Sequence, residues 1–222
     1  NLDCLKMILE YNLKKGFLFF FFFFDLLPFA SYPVCTYDWQ RYFRDKFLEI
    51  GEYIKKNNIR ISMHPDQYVI INSPDKKIVK KSEDELRWHC EVLDLMGLDN
   101  SAKVQVHVGG VCGDKDTAMK RFAENYENMP KMIKERLVIE NDERSYPLKD
   151  CIRLSRISGI SVVFDSFHHT CLNHGEDMKD ALRAAMSTWD KKDGVLMADY
   201  SSQEPGAKKG KHIQHIDIDD FR

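Results

Sequence analysis

Six side chains with metal-binding donors, His64, His107, Glu140, Asp165, His168 and Asp199, recur along the chain, and five of them directly follow a short apolar run. Imidazole nitrogen and carboxylate oxygen together suit Mn, Zn or Fe(II), and a set without Cys argues against a structural zinc knot. A carboxylate such as Glu140, central in the series, can bridge two ions, and paired ions activate water and stabilise the attacking and leaving oxygens of phosphodiester cleavage. The same donors serve sugar isomerisation, so the residue types alone leave the reaction open. Taken singly, a histidine after a strand is more often a hydrogen-bonded structural residue, and an acidic residue there can cap a helix. Five such ends in succession favour a site, because capping would draw on Ser, Thr and Asn as well. Asp165-Ser-Phe-His168 adds to this, since Asp-x-x-His leaving a strand can bring both side chains to one mouth. His169 and His174 are expected to lie outside the ligand set. His89, surrounded by Leu86, Leu93 and Met96, is expected to be a packed, hydrogen-bonded helix residue.

These donors converge only if the apolar runs are neighbouring parallel strands, whose C-terminal ends open onto one mouth. The runs are Ile59 to Met63, Lys103 to Val106, Arg136 to Ile139, Ile160 to Phe164 and Gly194 to Ala198. Between and before them, helical patterns cover Leu2 to Lys15, Trp39 to Asn57, Ser82 to Met96, Thr117 to Lys134, Leu148 to Ser158 and Lys179 to Ser187. Ser82-Glu-Asp-Glu85 reads as a capping box with Ser82 as N-cap. The Phe17 to Phe24 run, ended by Asp25 and Pro28, falls far short of the about 20 residues of a membrane span and reads as a buried strand. It brings the number of strands to six. The expectation is an α/β fold of the (β/α)₈-barrel type, a single domain over residues 1–222, incomplete at its N- and C-terminal ends against the roughly 250 residues of a closed barrel.

Bulk properties agree. With 43% hydrophobic and 31% charged positions, the 222 residues can enclose a substantial core. Six scattered cysteines without CxxC spacing, and no signal peptide, suggest free thiols and an intracellular setting. Thirty-three Lys and Arg against 35 Asp and Glu leave a net charge of −2, so a nucleic-acid surface has to be local.

Four motifs, Ser62-Met-His-Pro-Asp-Gln-Tyr-Val69, Val106-His-Val-Gly-Gly110, Ile139-Glu-Asn-Asp142 and Phe164-Asp-Ser-Phe-His-His169, closely resemble the UV-damage endonuclease family in order and spacing. The resemblance covers nearly the whole chain. It implies a barrel related to endonuclease IV that nicks DNA 5′ to photoproducts or abasic sites through a metal-activated hydroxide. It also implies His64, His107, Glu140, Asp165 and His168 as ligands, and His212 as a further one, with His215 the competing candidate. Gln67 and Tyr68 match the pair that family members push into the duplex at the lesion. An aromatic ring and an amide can fill the gap left by a poorly stacked step. Lys208, Lys209 and Lys211 form a basic loop beside His212, suited to phosphates.

Departures from the family pattern are equally visible. Met197-Ala-Asp199 stands where many members have Lys-x-His; Phe20 to Asp25 replaces a polar strand end; Tyr32 lies near a position usually held by histidine; and a last glutamate ligand would fall beyond Arg222. The expected cofactors are two or three divalent ions, Mn first, with Zn, Mg or Co as alternatives. The expected partner is damaged double-stranded DNA, bound by a monomer away from any membrane. A sugar isomerase or epimerase on the same barrel and a damage-binding protein without catalysis are the competing functions.

Overall fold

The structure, a computed structural model, describes residues 1–23 and 26–221, with Phe23 described by its backbone alone. Helix α1 (Leu2–Lys14) precedes strand β1 (Phe19–Phe23), and α2 (Trp39–Tyr42) with α3 (Arg44–Lys56) leads to β2 (Arg60–His64). Helix α4 (Lys76–Leu95) leads to β3 (Lys103–His107), α5 (Lys115–Glu127) and α6 (Lys131–Arg136) to β4 (Leu137–Glu140), and α7 (Leu148–Ser158) to β5 (Ser161–Asp165). Helices α8 (Ser166–Cys171) and α9 (Met178–Met186) and a 3₁₀ turn (Lys191–Asp193) lead to the short β6 (Ala198–Asp199), and α10 (Ile218–Phe221) closes the described chain. All six strands pair in parallel in the order β1-β2-β3-β4-β5-β6. The result is a parallel half-barrel with helices on its outer face.

Strand alternation sorts the side chains into two layers. Ile61, Met63, Val104, Val106, Leu137, Ile139, Val162 and Phe164 turn outward and join the helices in the main core. Val138, Val163 and Met197, with Trp189 against them, form a separate cluster on the inner face. Met197 is thus apolar packing on the inner face of the half-barrel. Lys103 is also buried on that face, and its Nζ donates to Asp193 Oδ1 at 2.5 Å and to the Glu135 carbonyl at 2.9 Å.

Helices set the spacing of the strand ends. Helix α3 approaches the end of α4 so closely that a Cβ on Gly51 would lie 1.7 Å from the Met96 carbonyl oxygen, so only glycine fits there. Arg136 ties the loop between α4 and β3 to β4, donating to Asp94 Oδ1 and to the carbonyls of Leu98, Asp99 and Ala102.

Several boundaries differ from the sequence-based expectation. The helix over Trp39 to Asn57 divides at Phe43, and that over Thr117 to Lys134 divides before Pro130, whose ring nitrogen has no hydrogen to donate. Helix α4 begins at Lys76 with Asp75 as N-cap, its side chain accepting from Lys77 N at 2.8 Å, so Ser82 is not the cap. Strand β6 is shorter than the run from Gly194, and Val195 is exposed. The phenylalanine run does form β1, but only Phe22 is buried among Phe17, Phe19, Phe20, Phe21 and Phe22, because β1 is the outermost strand and pairs on one side only. Phe24 and Asp25 lie outside the described residues. No helix among the described residues is long and apolar enough to cross a membrane.

Candidate metal centre

His64, His107, Glu140, Asp165 and Asp199 are the last residues of β2, β3, β4, β5 and β6. Because His107 pairs with Glu140 and Asp165 with Asp199 in register, their side chains emerge at one level on one rim. Among the described residues two donor groups result, each with ligand atoms within 4.8 Å of one another: His64, His107 and Glu140, and Glu140, Asp165 and Asp199. Glu140 belongs to both.

Within the first group, His107 Nε2 lies 2.8 Å and His64 Nε2 3.6 Å from Glu140 Oε1. His64 Nδ1 faces the Pro65 carbonyl oxygen at 2.6 Å, which leaves Nε2 for the centre. In the second, Asp165 combines both roles open to a strand-end acid. Its Oδ1 accepts from His168 N at 2.7 Å as the N-cap of α8, and the residue still joins the carboxylate cluster. His168 Nδ1 lies 2.9 Å from the Asn141 carbonyl, to which it donates, which leaves Nε2 as the ring nitrogen open to a ligand role. Asn141 also clasps Asp165, its Nδ2 donating to the Asp165 carbonyl at 2.8 Å and its Oδ1 accepting from Asp165 N at 3.0 Å. His212 comes from the loop after β6, folded back by an antiparallel bridge with Gln203; its ring centroid is 5.5 Å from His168 and 4.9 Å from Phe167. His215 is exposed three residues on.

The electrostatics of this cluster call for positive charge. Burial opposes protonation of His107, but its hydrogen bond to Glu140 and the charges of Glu140, Asp142 and Glu143 outweigh it and push its pKa up to about 9. Burial raises the Glu140 carboxyl as well, yet His107 and His64 together hold it well below the usual carboxylate range. Burial and the Glu140 charge drive Asp199 up to about 7, and burial raises Asp165. Among the described residues no Lys or Arg nitrogen forms an ion pair with any of these three carboxylates. Two buried acids, Glu140 and Asp165, and the half-buried Asp199 beside imidazoles are a donor set that divalent cations fit, supplying the charge that the protein side chains do not.

The rim around this centre is polar and open. A cavity of about 350 Å³ is lined by His64, Gln67, His107, Glu143 and Arg144, among others. Gln67 and Tyr68 are exposed, Tyr68 at 71%. Ser82 anchors their loop from within α4, accepting from Ile70 N and donating to the Ile78 carbonyl, both at 2.9 Å. Gly109 (φ +107°) packs against Asn72, where a Cβ would lie 2.6 Å from Oδ1. Lys208 and Lys209 are exposed, whereas Lys211 pairs with Glu204 Oε2 at 2.6 Å. Tyr32 is exposed against Phe29, ring centroids 6.0 Å apart. His169 is buried, with Nε2 3.2 Å from the Glu176 carbonyl, and His174 is exposed.

Three residues of the centre were not anticipated from sequence: Gln105, whose Nε2 donates to Glu140 and Asp199; Asn141; and Glu143, whose Oε2 lies 3.6 Å from His168 Nε2. For Gln105 a signal existed, since it precedes His107 by two residues and shares its strand face.

The model of the family described as UV-endonuclease UvdE matches residues 1–222. The chain is 39% identical to a UV DNA damage endonuclease of Clostridium perfringens (strain 13 / Type A) over 223 aligned positions, 100% of this chain and 54% of that protein. It is 30% identical to the UV DNA damage endonuclease of Bacillus velezensis, over 98% of this chain and 68% of the relative. It thus spans about half the length of the first relative. The crystal structure of SacUVDE superimposes with a TM-score of 0.96 at 44% identity, over 100% of this chain and 75% of that one. Endonuclease IV from Thermus thermophilus (TM-score 0.56, 17% identity, 82% of this chain and 66% of that one) and D-psicose 3-epimerase from Clostridium cellulolyticum (0.61, 16%, 82% and 64%) share the fold. By motif, fold and relatedness over its whole extent, this chain belongs to the UV-endonuclease UvdE family.

Proposed function

We propose that this domain is a DNA-repair endonuclease that nicks the phosphodiester backbone 5′ to UV photoproducts, and also to abasic sites. The observation that carries the reading is Glu140, shared between an imidazole group and a carboxylate group, at the foot of a rim where Gln67 and Tyr68 stand exposed. His64, His107, Glu140, Asp165, His168, Asp199 and His212 are the residues that would hold two or three divalent ions, Mn being our first choice. When bound, such ions activate water and offset charge on the attacking and leaving oxygens. The six-stranded half-barrel is read as the larger part of a (β/α)₈-type barrel.

The chain's own side chains supply the rest. Tyr68 and Gln67, both exposed, are read as the pair that enters a weakened base step and fills the space left as the damaged bases move out. Lys208 and Lys209 offer phosphate contacts, which a net charge of −2 makes a local matter. Asn141 fixes Asp165 and the His168 tautomer, so those two donors keep their orientation as substrate arrives. A monomer acting inside a cell on damaged duplex is the form this reading expects.

The test is incubation of Mn-loaded protein with a duplex carrying one photoproduct and with its undamaged counterpart. A nick 5′ to the lesion in the first alone is the expected result. Equal cleavage of both, or of neither, sinks the reading. Tight lesion binding without a nick would point to a damage-binding protein, and epimerisation of a ketose to the sugar chemistry.

A further inference from the structure

Gln105 lies on the inner face of β3, 1% exposed, one inward position below His107. Its Nε2 donates to Glu140 Oε2 and, at 2.5 Å, to Asp199 Oδ2. An amide nitrogen has two hydrogens, so one group can serve both acids. The opposite orientation would set the amide oxygen against two carboxylate oxygens, so the network decides which end is which. The amide oxygen, Oε1, is buried without a hydrogen-bond partner among the described residues. Leaving a buried acceptor unpaired is unfavourable, and the apolar filling used nearby at Val138, Val163 and Met197 would avoid that cost. A side chain kept for packing alone would not be an amide.

Glu140 consequently divides its oxygens: Oε2 is held from below by Gln105, while Oε1 faces His107 and His64. Asp199 is drawn to the same amide from β6, beyond β4 and β5 in the sheet. We propose that Gln105 is a positioning residue of the metal centre, holding Glu140 and Asp199 side by side so that both serve the same divalent ion. This rests on the divalent-ion reading of the centre. It assigns to Gln105 the coupling between two carboxylates of the second donor group, one of which, Glu140, also belongs to the first.

Calorimetric titration of Mn²⁺ into metal-stripped protein tests it, with melting of the metal-free form as the second readout. Gln105→Met keeps the length and removes the donors; Gln105→Asn keeps the amide but withdraws it by one methylene; Glu140→Gln is the control for the ion site itself. Gln105→Met is expected to weaken Mn²⁺ binding about 10- to 100-fold, with Gln105→Asn in between. A residue that only stabilises the barrel would lower the melting temperature and leave Mn²⁺ affinity at the wild-type value, and that result overturns the proposal. Should Gln105→Met fail to fold, wild-type affinity in Gln105→Asn overturns it equally. If wild-type protein binds no Mn²⁺, or Glu140→Gln binds it unchanged, the ion reading falls and takes this proposal with it, whereas loss in Glu140→Gln alone defeats only the role of Gln105.

Discussion

His107 Nε2 stands 2.8 Å from Glu140 Oε1 across directly paired positions of two parallel strands. Register thereby delivers an imidazole and a carboxylate to one point without any loop having to fold correctly first. His64 completes the group from the neighbouring strand β2, and Asp165 and Asp199 approach Glu140 from the other side. Because the five donors end five consecutive strands, the twist and spacing of the sheet set the geometry of the centre. The loops decide what reaches it.

Glu140→Gln keeps the shape and removes the charge that both donor groups share. The expected outcome is loss of at least one bound ion per chain, read by elemental analysis of the purified protein, and a fall of about a thousandfold in photoproduct nicking, equivalent to roughly 4 kcal/mol of barrier. Full ion content with normal nicking would remove Glu140 from the centre.

Tyr68 is 71% exposed, so Tyr68→Ala removes little packing and should shift stability by less than about 0.5 kcal/mol. If its ring stacks at a lesion, binding of photoproduct duplex should weaken by about 1–3 kcal/mol, roughly 5- to 150-fold, with little change for undamaged duplex. Fluorescence anisotropy on the two duplexes separates these effects. An equal loss on both would make Tyr68 a general backbone contact.

The parts of this centre that were legible in the sequence were those obeying strand periodicity. Apolar runs broken by His, Glu or Asp announced both the strands and their shared rim, since parallel strands present their C-terminal ends together. Ser-x-x-Glu at Ser82 matches a capping box, while the lysine-rich stretch Lys76 to Lys81, with only Ile78 and Val79 apolar, gave little sign of the earlier turns begun by Asp75. Gln105 was passed over as one polar residue within an apolar run, its partners lying 35 and 94 positions away. The approach of His212 to His168 depends on the bridge between Gln203 and His212, and no local pattern encodes that contact.

The lysine loop should show itself in salt dependence. Lys208 and Lys209 are exposed, whereas Lys211 is held by Glu204. The double change Lys208→Ala, Lys209→Ala is expected to flatten the plot of log affinity against log salt by about 1.8, at about 0.9 per phosphate contact. Lys211→Ala should change it less than either single substitution, and an unchanged slope in the double variant would place the DNA elsewhere.

His89 predicts an acid sensitivity independent of catalysis. Its ring is fully buried, its centroid 3.7 Å from that of Trp88 with the planes tilted by 37°, with Nδ1 2.8 Å from the Glu85 carbonyl and Nε2 without a hydrogen-bond partner among the described residues. Burial, only partly opposed by the Glu85 carbonyl, lowers its pKa from 6.5 to about 3. The folded protein therefore keeps this ring neutral where the unfolded chain has already taken up a proton, so acid favours unfolding. The stability at stake is intact above pH 6.5 and is lost progressively as pH falls toward 3. By pH 5 the loss is about 2 kcal/mol. Urea midpoints of metal-free protein at pH 7 and pH 5, for wild type and for His89→Gln, give the measurement. The variant should start less stable at pH 7, having traded a packed ring for an amide, and should then lose about 2 kcal/mol less between the two values. Parallel losses in both proteins would show that His89 takes up its proton without unfolding the chain, and that its burial is easier to relieve than its packing against Trp88 implies.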